Sequence, residues 1–336
     1  MLSIPTGRGV MVFDNPKLPS LVFRLYGPRD LRVDEEILDL GAIGEREIAA
    51  RTLFTAVSTG TELAAYRGDP PLRPTPFPYP RLVGYCNVAE VIAVGEHATG
   101  YKPGDVILSG QSHRSAYVCD AGSVFLALPP QVEPAAASIA YLIQLGYVAL
   151  QSAEAQKGQR VAVIGLGVLG LATVACARMM GLDVSAVSSQ AASLDIARRW
   201  GARAVAKDDA ISLGAIDCVV LTSNLWQDWL LSLKTVNISG TIATLGFPGR
   251  GQALPDFNPL DSQWLYDKRL TIKATGPPAS PEQLRHNLVY LINQMAAGAL
   301  HANKLISKTI RWQELPTLYA ELAANRGKLL TAVLKW

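Results

Sequence analysis

The stretch RVAVIGLGVLGLATVACARMM, Arg160 to Met180, leaves few folds open. It begins as a short apolar strand and continues as an apolar helix pattern. Between the two, Gly165, Gly167 and Gly170 stand as G-x-G-x-x-G. In that strand–turn–helix order each glycine has its own physical reason. The first permits a tight turn, the second lets backbone approach a pyrophosphate, and the third lets helix and sheet pack closely. Val168 and Leu169 open the helix, where free N–H groups and the positive dipole end suit an anion. The expected fold is a doubly wound α/β unit around a parallel sheet, and the expected ligand is a dinucleotide.

The flanking sequence agrees. From about Ala135 the chain alternates buried strand with amphipathic helix: AAASIAYLIQLGYVALQSAEA, the glycine stretch, AASLDIARRWGARAVA, IDCVVLTS, NLWQDWLLSLKTV and GTIATLGF. That alternation marks a parallel sheet covered on both faces. RLTIKAT reads as a last strand. Ser280 reads as the N-cap, and Pro281 as the first residue, of the helix that follows. The earlier part of the chain is β-rich, with GVMVF, REIAARTLFTAV, CNVAEVIAVG, GDVILSG and SAYVCD as short runs separated by Gly, Pro and Asp. GDPPLRPTPFPYP, Gly68 to Pro80, is too proline-rich for helix or central strand and reads as a surface loop. The tail reads as a helix stopped at Gly327 and a closing strand. The domain boundaries expected from this pattern are 1–138 with 300–336 for the β-rich domain and 139–299 for the dinucleotide domain.

The strand DVSAVSSQ ends about 20 residues past the glycines, where a site for a 2′-hydroxyl cofactor carries an acid. Here stand Ser188 and Ser189. Neutral hydroxyls donate to a 2′-phosphate that a carboxylate would repel, by about 4 kcal/mol for charges 4 Å apart at an effective dielectric near 20. NADPH is therefore the expected cofactor, with NADH possible. The nearest cations in sequence, Arg198 and Arg199, lie one helix later and read as solvated.

The net charge of +3 is small and forms no basic run, so nucleic acid is not an expected partner. No window is apolar for the roughly 18 residues of a membrane span, and the first residues lack a secretory pattern. Cys86, Cys119, Cys176 and Cys218 form no C-x-x-C pair, which speaks against a disulfide framework and points to a reducing cytoplasm.

STGTEL, YPRLVGYCNVAEVIAVG, YKPGDVILSG, the glycine stretch, ARRWGA and GKLLTAVLKW together resemble the medium-chain dehydrogenase/reductase superfamily from about residue 8 onward. The resemblance implies a Rossmann domain inserted in a β-rich, GroES-like catalytic domain, and usually a homodimer or other homo-oligomer. STGTE with YPRLVGY is also similar to a zinc-poor branch that includes bacteriochlorophyllide a dehydrogenase. Zinc-dependent members place metal ligands at positions that fall here on Thr59, on Tyr85 and Cys86 of the motif Gly84-Tyr85-Cys86, and near Tyr141. Threonine and tyrosine are poor zinc ligands, so the site is expected to hold no metal. Cys86 reads as a small buried hydrophobe.

Without a metal, protein donors must meet the negative charge that hydride transfer builds on a carbonyl oxygen. The candidates are Tyr85, Tyr141, Thr59 and Thr61, the last at the superfamily's proton-relay position. Glu62 is expected to orient Tyr85 by accepting its hydrogen bond. His113 sits on a segment expected to border the substrate cleft, and Gln144 follows Tyr141 at i+3 on one helical face. Thr222, Ser223, Asn224, Gly246 and Phe247, which follow Rossmann strands, are expected to line the nicotinamide end. The implied activity is a zinc-independent oxidoreductase acting on a small carbonyl, alcohol or imine. A reductase of enones or quinones and a nucleotide-binding protein without catalysis are the alternatives.

Overall fold

The computed structural model describes residues 16–72, 76–325 and 329–336, so the run Gly9–Phe13, the stop at Gly327 and part of the proline-rich loop lie outside the described residues. Two compact units emerge, residues 1–140 with 302–336, and residues 141–301. Among the described residues no helix is long and apolar enough to cross a membrane.

The second unit is built on six parallel strands, numbered here within the unit: β1 (Arg160–Ile164), β2 (Asp183–Ser188), β3 (Arg203–Ala206), β4 (Ile216–Leu221), β5 (Val236–Thr244) and β6 (Thr271–Ala274). Their spatial order is β3-β2-β1-β4-β5-β6, the doubly wound dinucleotide-binding order, which reverses direction beside the first strand. Val161 to Ile164 of β1 are all fully buried, as expected of a strand covered on both faces. Ile164, Val187, Val219, Leu221 and Ile242 share a core with Trp229, Leu231 and Leu233 of the helix Trp226–Thr235. Each such side chain contributes roughly 1.5–3 kcal/mol by leaving water. Ser280 caps the helix Pro281–Ala296, its side chain accepting from the Gln283 amide.

Gly165 and Gly170 are fixed by sterics as the spacing predicts. Gly165 has φ +93°, a turn that side-chain-bearing residues rarely make. At Gly170 a Cβ would stand 1.8 Å from the Gly165 carbonyl oxygen, so helix Val168–Met179 meets the strand end with no room to spare. At Gly167 a Cβ would meet nothing within 4 Å.

The first unit is mostly antiparallel. Its main sheet runs in the order Ile306–Arg311, Thr331–Lys335, Glu47–Ala56, Asn87–Val94, Val106–Ser109 and Leu126–Ala127, with Ala116–Asp120 pairing Glu47–Ala56 separately. A hairpin of Lys17–Gly27 and Asp30–Asp39 forms a second sheet with Arg81–Leu82. The sequence reading did not contain this hairpin, although Val22, Phe23 and Leu25 are fully buried. Pro19 in one strand and the acidic, mostly exposed face of the other disguise its alternation. The hairpin is tied to the segment carrying His113, because the Phe23 amide donates to the His113 carbonyl at 3.0 Å and the Ser115 amide to Leu21 at 2.9 Å.

Two substitutions in the glycine turn should therefore separate. Gly170→Ala is expected to cost at least about 2 kcal/mol in denaturant unfolding, because backbone must move to admit the methyl group. Gly167→Ala is expected to stay within about 0.5 kcal/mol of the parent, because its methyl group enters open space.

Candidate functional site

In the second unit the candidate ligand surface is the C-terminal edge of β1, β2, β4 and β5. Gly167 is the N-cap of the twelve-residue helix Val168–Met179 and provides no side-chain cap, so the first helical N–H groups are left for a ligand. Thr222 ties β4 to the turn, donating from its hydroxyl to the Gly165 carbonyl at 2.7 Å. Gly246 is obligatory next to it, since a Cβ there would lie 2.5 Å from the Ser223 carbonyl oxygen. The Phe247 amide donates to Asn224 Oδ1 at 2.8 Å, which joins the loops after β4 and β5. The structure thus brings Gly165, Thr222, Ser223, Asn224, Gly246 and Phe247 together. It adds Arg250, whose guanidinium lies 3.8 Å from the centre of the Phe247 ring.

At the end of β2, the Ser188 hydroxyl accepts from the Gln190 amide at 3.0 Å, while Ser189 is exposed. Ser188 pairs in register with Ala206 of β3, and Lys207 directly follows that residue. The sequence reading missed it because strand register is not written in the chain. Lys207 is committed elsewhere: its ammonium lies 2.7 Å from the carboxylate of Asp228, which is 3% exposed. Arg198 is paired with Asp195 at 2.5 Å. Ser188, Ser189 and Gln190 therefore carry a neutral rim. An open glycine, unclaimed helix amides and this rim fit the pyrophosphate and ribose of a dinucleotide.

In the first unit, Glu62, Tyr85 and His113 converge on one network, with Thr59 and Thr61 on the segment that leads into it. Helix Thr61–Arg67 starts beside strand Glu47–Ala56 and sets Glu62 in its first turn, 3% exposed. A buried carboxylate needs several donors, and Glu62 has them. The Ser58 amide donates to its Oε1 at 2.8 Å, His113 Nε2 lies 3.0 Å from its Oε2, and the Tyr319 hydroxyl donates to the same oxygen. His113 Nδ1 lies 2.8 Å from Thr55 Oγ1, which also accepts from the Trp336 indole at 3.0 Å. Both ring nitrogens of His113 thus have partners, Thr55 on one side and Glu62 on the other. Gly84, at φ +83°, exists for this ring, because a Cβ there would fall 2.7 Å from it.

Two expectations change. His113 is fully buried and held on both nitrogens, so it supports the site from within and does not border a cleft. Glu62 reaches Tyr85 through Ser58, because its oxygens are taken by Ser58, His113 and Tyr319 and the Tyr85 hydroxyl donates to Ser58 Oγ at 2.5 Å. Ser58, Thr55, Tyr319 and Trp336 were missed as site residues. Ser58 stands at the head of the STGTE motif, but Tyr319 is 257 residues from Glu62 and carries no local signal. Burial, then the neighbouring Cys86 and Glu62, push the Tyr85 hydroxyl far above a free phenol, so it stays protonated. Thr61 is exposed at the start of its helix, three residues after Ser58. Thr59 donates to the Leu330 carbonyl at 3.0 Å.

Tyr141 and Gln144 belong to the other unit, on helix Ala140–Ser152. Tyr141 is half-buried. Gln144 is fully buried, and neither its amide nitrogen nor its carbonyl oxygen has a partner among the described residues.

Among the described residues no group of three or more His, Cys, Asp or Glu side chains is arranged to hold a metal. The donors at the resemblance-derived ligand positions do not suit zinc either. Thr59 and Tyr85 are spent on Leu330 and Ser58, and neither side-chain type is a good zinc ligand.

No family model matches the chain. It is 25% identical over 220 residues to the NADP-dependent isopropanol dehydrogenase of Thermoanaerobacter brockii, covering 52% of this chain and 62% of that one, less than two thirds of the relative's length. It is 27% identical over 237 residues to an alcohol dehydrogenase of Geobacillus stearothermophilus, covering 59% and 69% of the two chains. A putative zinc-binding dehydrogenase from Sinorhizobium meliloti 1021, solved bound to NADP, superposes with a TM-score of 0.78 at 17% identity over 95% of this chain and 100% of that one. Relatives and structural neighbours alike are medium-chain alcohol dehydrogenase-like, and the Rossmann sheet with a separate β-rich domain is the fold of that group.

Proposed function

We propose that the protein is a zinc-independent, NADP(H)-dependent oxidoreductase that interconverts a small alcohol and its carbonyl compound. The observation that carries this reading is the glycine turn: a positive-φ Gly165, a Gly170 wedged against it and a Gly167 open to a ligand. The activities of the two relatives support alcohol chemistry, and an NADP-bound neighbour and an NADP-dependent relative support the cofactor.

A bound nicotinamide would supply or accept the hydride. Backbone amides from Gly167 to Gly170 would hold its pyrophosphate, Ser188 and Ser189 its adenosine ribose, and Thr222 to Asn224 with Gly246 and Phe247 the other end. The substrate oxygen gathers negative charge as hydride reaches the carbonyl carbon, and a hydroxyl donor meets that charge. Tyr85 suits this role because it is held protonated and is half-buried, and exposed Thr61, three residues after Ser58, is the route proposed for the proton to solvent. Assembly as a homo-oligomer is part of the proposal, since β6 is an edge strand with Thr271, Ile272 and Ala274 exposed.

NADPH oxidation followed at 340 nm against a panel of small ketones and aldehydes tests the activity; no turnover by pure protein that binds NADPH would reject it. Tyr85→Phe is expected to lower kcat about a hundredfold with little change in NADPH affinity. Ser189→Asp is expected to weaken NADPH about tenfold or more in calorimetry while sparing NADH, because the new charge meets the 2′-phosphate alone. Equal weakening of both cofactors would place the ribose elsewhere.

A further inference from the structure

Ser58 was never a candidate, and the hydrogen bonds around it do not close. It is 4% exposed. Its amide is spent on Glu62 and its carbonyl accepts from the Glu62 amide, so the residue is clasped by its main chain. Its Oγ accepts from the Tyr85 hydroxyl at 2.5 Å, yet among the described residues its own hydroxyl proton has no acceptor. A buried hydroxyl donor left unmatched is costly, and native structures retain few of them.

In the structure Tyr85 is the donor, and a small rotation of the Ser58 side chain is needed for Ser58 to donate instead, since hydroxyl protons rotate. Reversed, Ser58 donates to the Tyr85 oxygen and the Tyr85 proton turns to another acceptor. In the free protein that acceptor is solvent at the half-exposed Tyr85, so little is gained. A substrate oxygen that gathers negative charge is a stronger acceptor, and turning to it leaves the Ser58 proton matched as well. A hydroxyl that receives a hydrogen bond is also a better donor.

We propose that Ser58 is a positioning residue of the reaction: it holds the Tyr85 hydroxyl in the free protein and turns to donate to it when Tyr85 engages the substrate oxygen. This rests on the assignment of Tyr85 as the substrate's donor. Glu62 fixes the Ser58 main chain, and His113 and Tyr319 fix Glu62, so the pair turns on rigid backbone. Only hydrogen bonds change partners; the hydride step is that of the proposed activity.

A double-mutant cycle tests this with Ser58→Ala, Tyr85→Phe and both together, using NADPH with the ketone or aldehyde that the parent enzyme reduces fastest. Fluorescence titration of NADPH and thermal unfolding serve as folding controls. Ser58→Ala is expected to lower kcat/KM about tenfold, to leave the NADPH dissociation constant unchanged, and to cost nothing further once Tyr85 is Phe. Ser58→Thr, which keeps the hydroxyl, is expected to recover most of the loss. Losses that multiply in the double variant, or a Ser58→Thr as poor as Ser58→Ala, would overturn the role of the hydroxyl. A Ser58→Ala worse than Tyr85→Phe would also overturn it, by making Ser58 itself the donor. If Tyr85→Phe matches the parent, the underlying assignment of Tyr85 has failed, whereas a normal Ser58→Ala beside an impaired Tyr85→Phe defeats this inference alone.

Discussion

A carboxylate sealed from water dictates the arrangement of the first unit. Glu62 is nearly solvent-free, a position a carboxyl group holds only with dense hydrogen bonding. Meeting that demand draws in the loop before the helix through Ser58, the strand-linking segment through His113, and the helix Leu315–Ala324 through Tyr319. Thr55 and Trp336 then complete the imidazole. Three stretches far apart in sequence are joined by one oxygen pair. The hydroxyls of Ser58, Tyr85 and Thr61 thereby stand on a frame that has little freedom to shift, as a site that must meet a developing charge requires.

The second unit solves a different problem by subtraction. Its ligand surface is made largely of what is missing: a Cβ at Gly165, where the turn needs positive φ; a Cβ at Gly170, where backbone touches backbone; and a Cβ at Gly167, where the space is left over. Gly246 repeats the device one loop further on, against Ser223. One unit thus concentrates polar side chains and the other exposes main chain.

That difference explains which parts were readable from the chain. The glycine turn is contiguous and each of its constraints is local, so spacing alone conveyed strand, turn and helix. Ser280 as an N-cap and Cys86 as a small buried residue were legible for the same reason: each depends on near neighbours. The hairpin of Lys17–Gly27 and Asp30–Asp39 was not, because its polar face faces solvent and its pairing partner segment lies near residue 114. The partnership of Glu62 with Tyr319 depends on chain closure across the whole unit. The position of Lys207 beside Ser188 depends on register between two parallel strands. Neither leaves a mark in a window of sequence. His113 was singled out by type and neighbourhood, and only packing shows that it faces inward.

The pairing of Lys207 with Asp228 has an implication for how such a chain can diversify. An ammonium bound to a carboxylate that is 3% exposed cannot be withdrawn without stranding a charge in the interior. The lysine is thus anchored by folding and is not at the disposal of whatever occupies the edge of the sheet. On the proposed function, discrimination between dinucleotides falls to solvent-facing positions such as Ser189, where replacement disturbs no packing. Drift at such a position could exchange one redox currency for another while the scaffold stays intact.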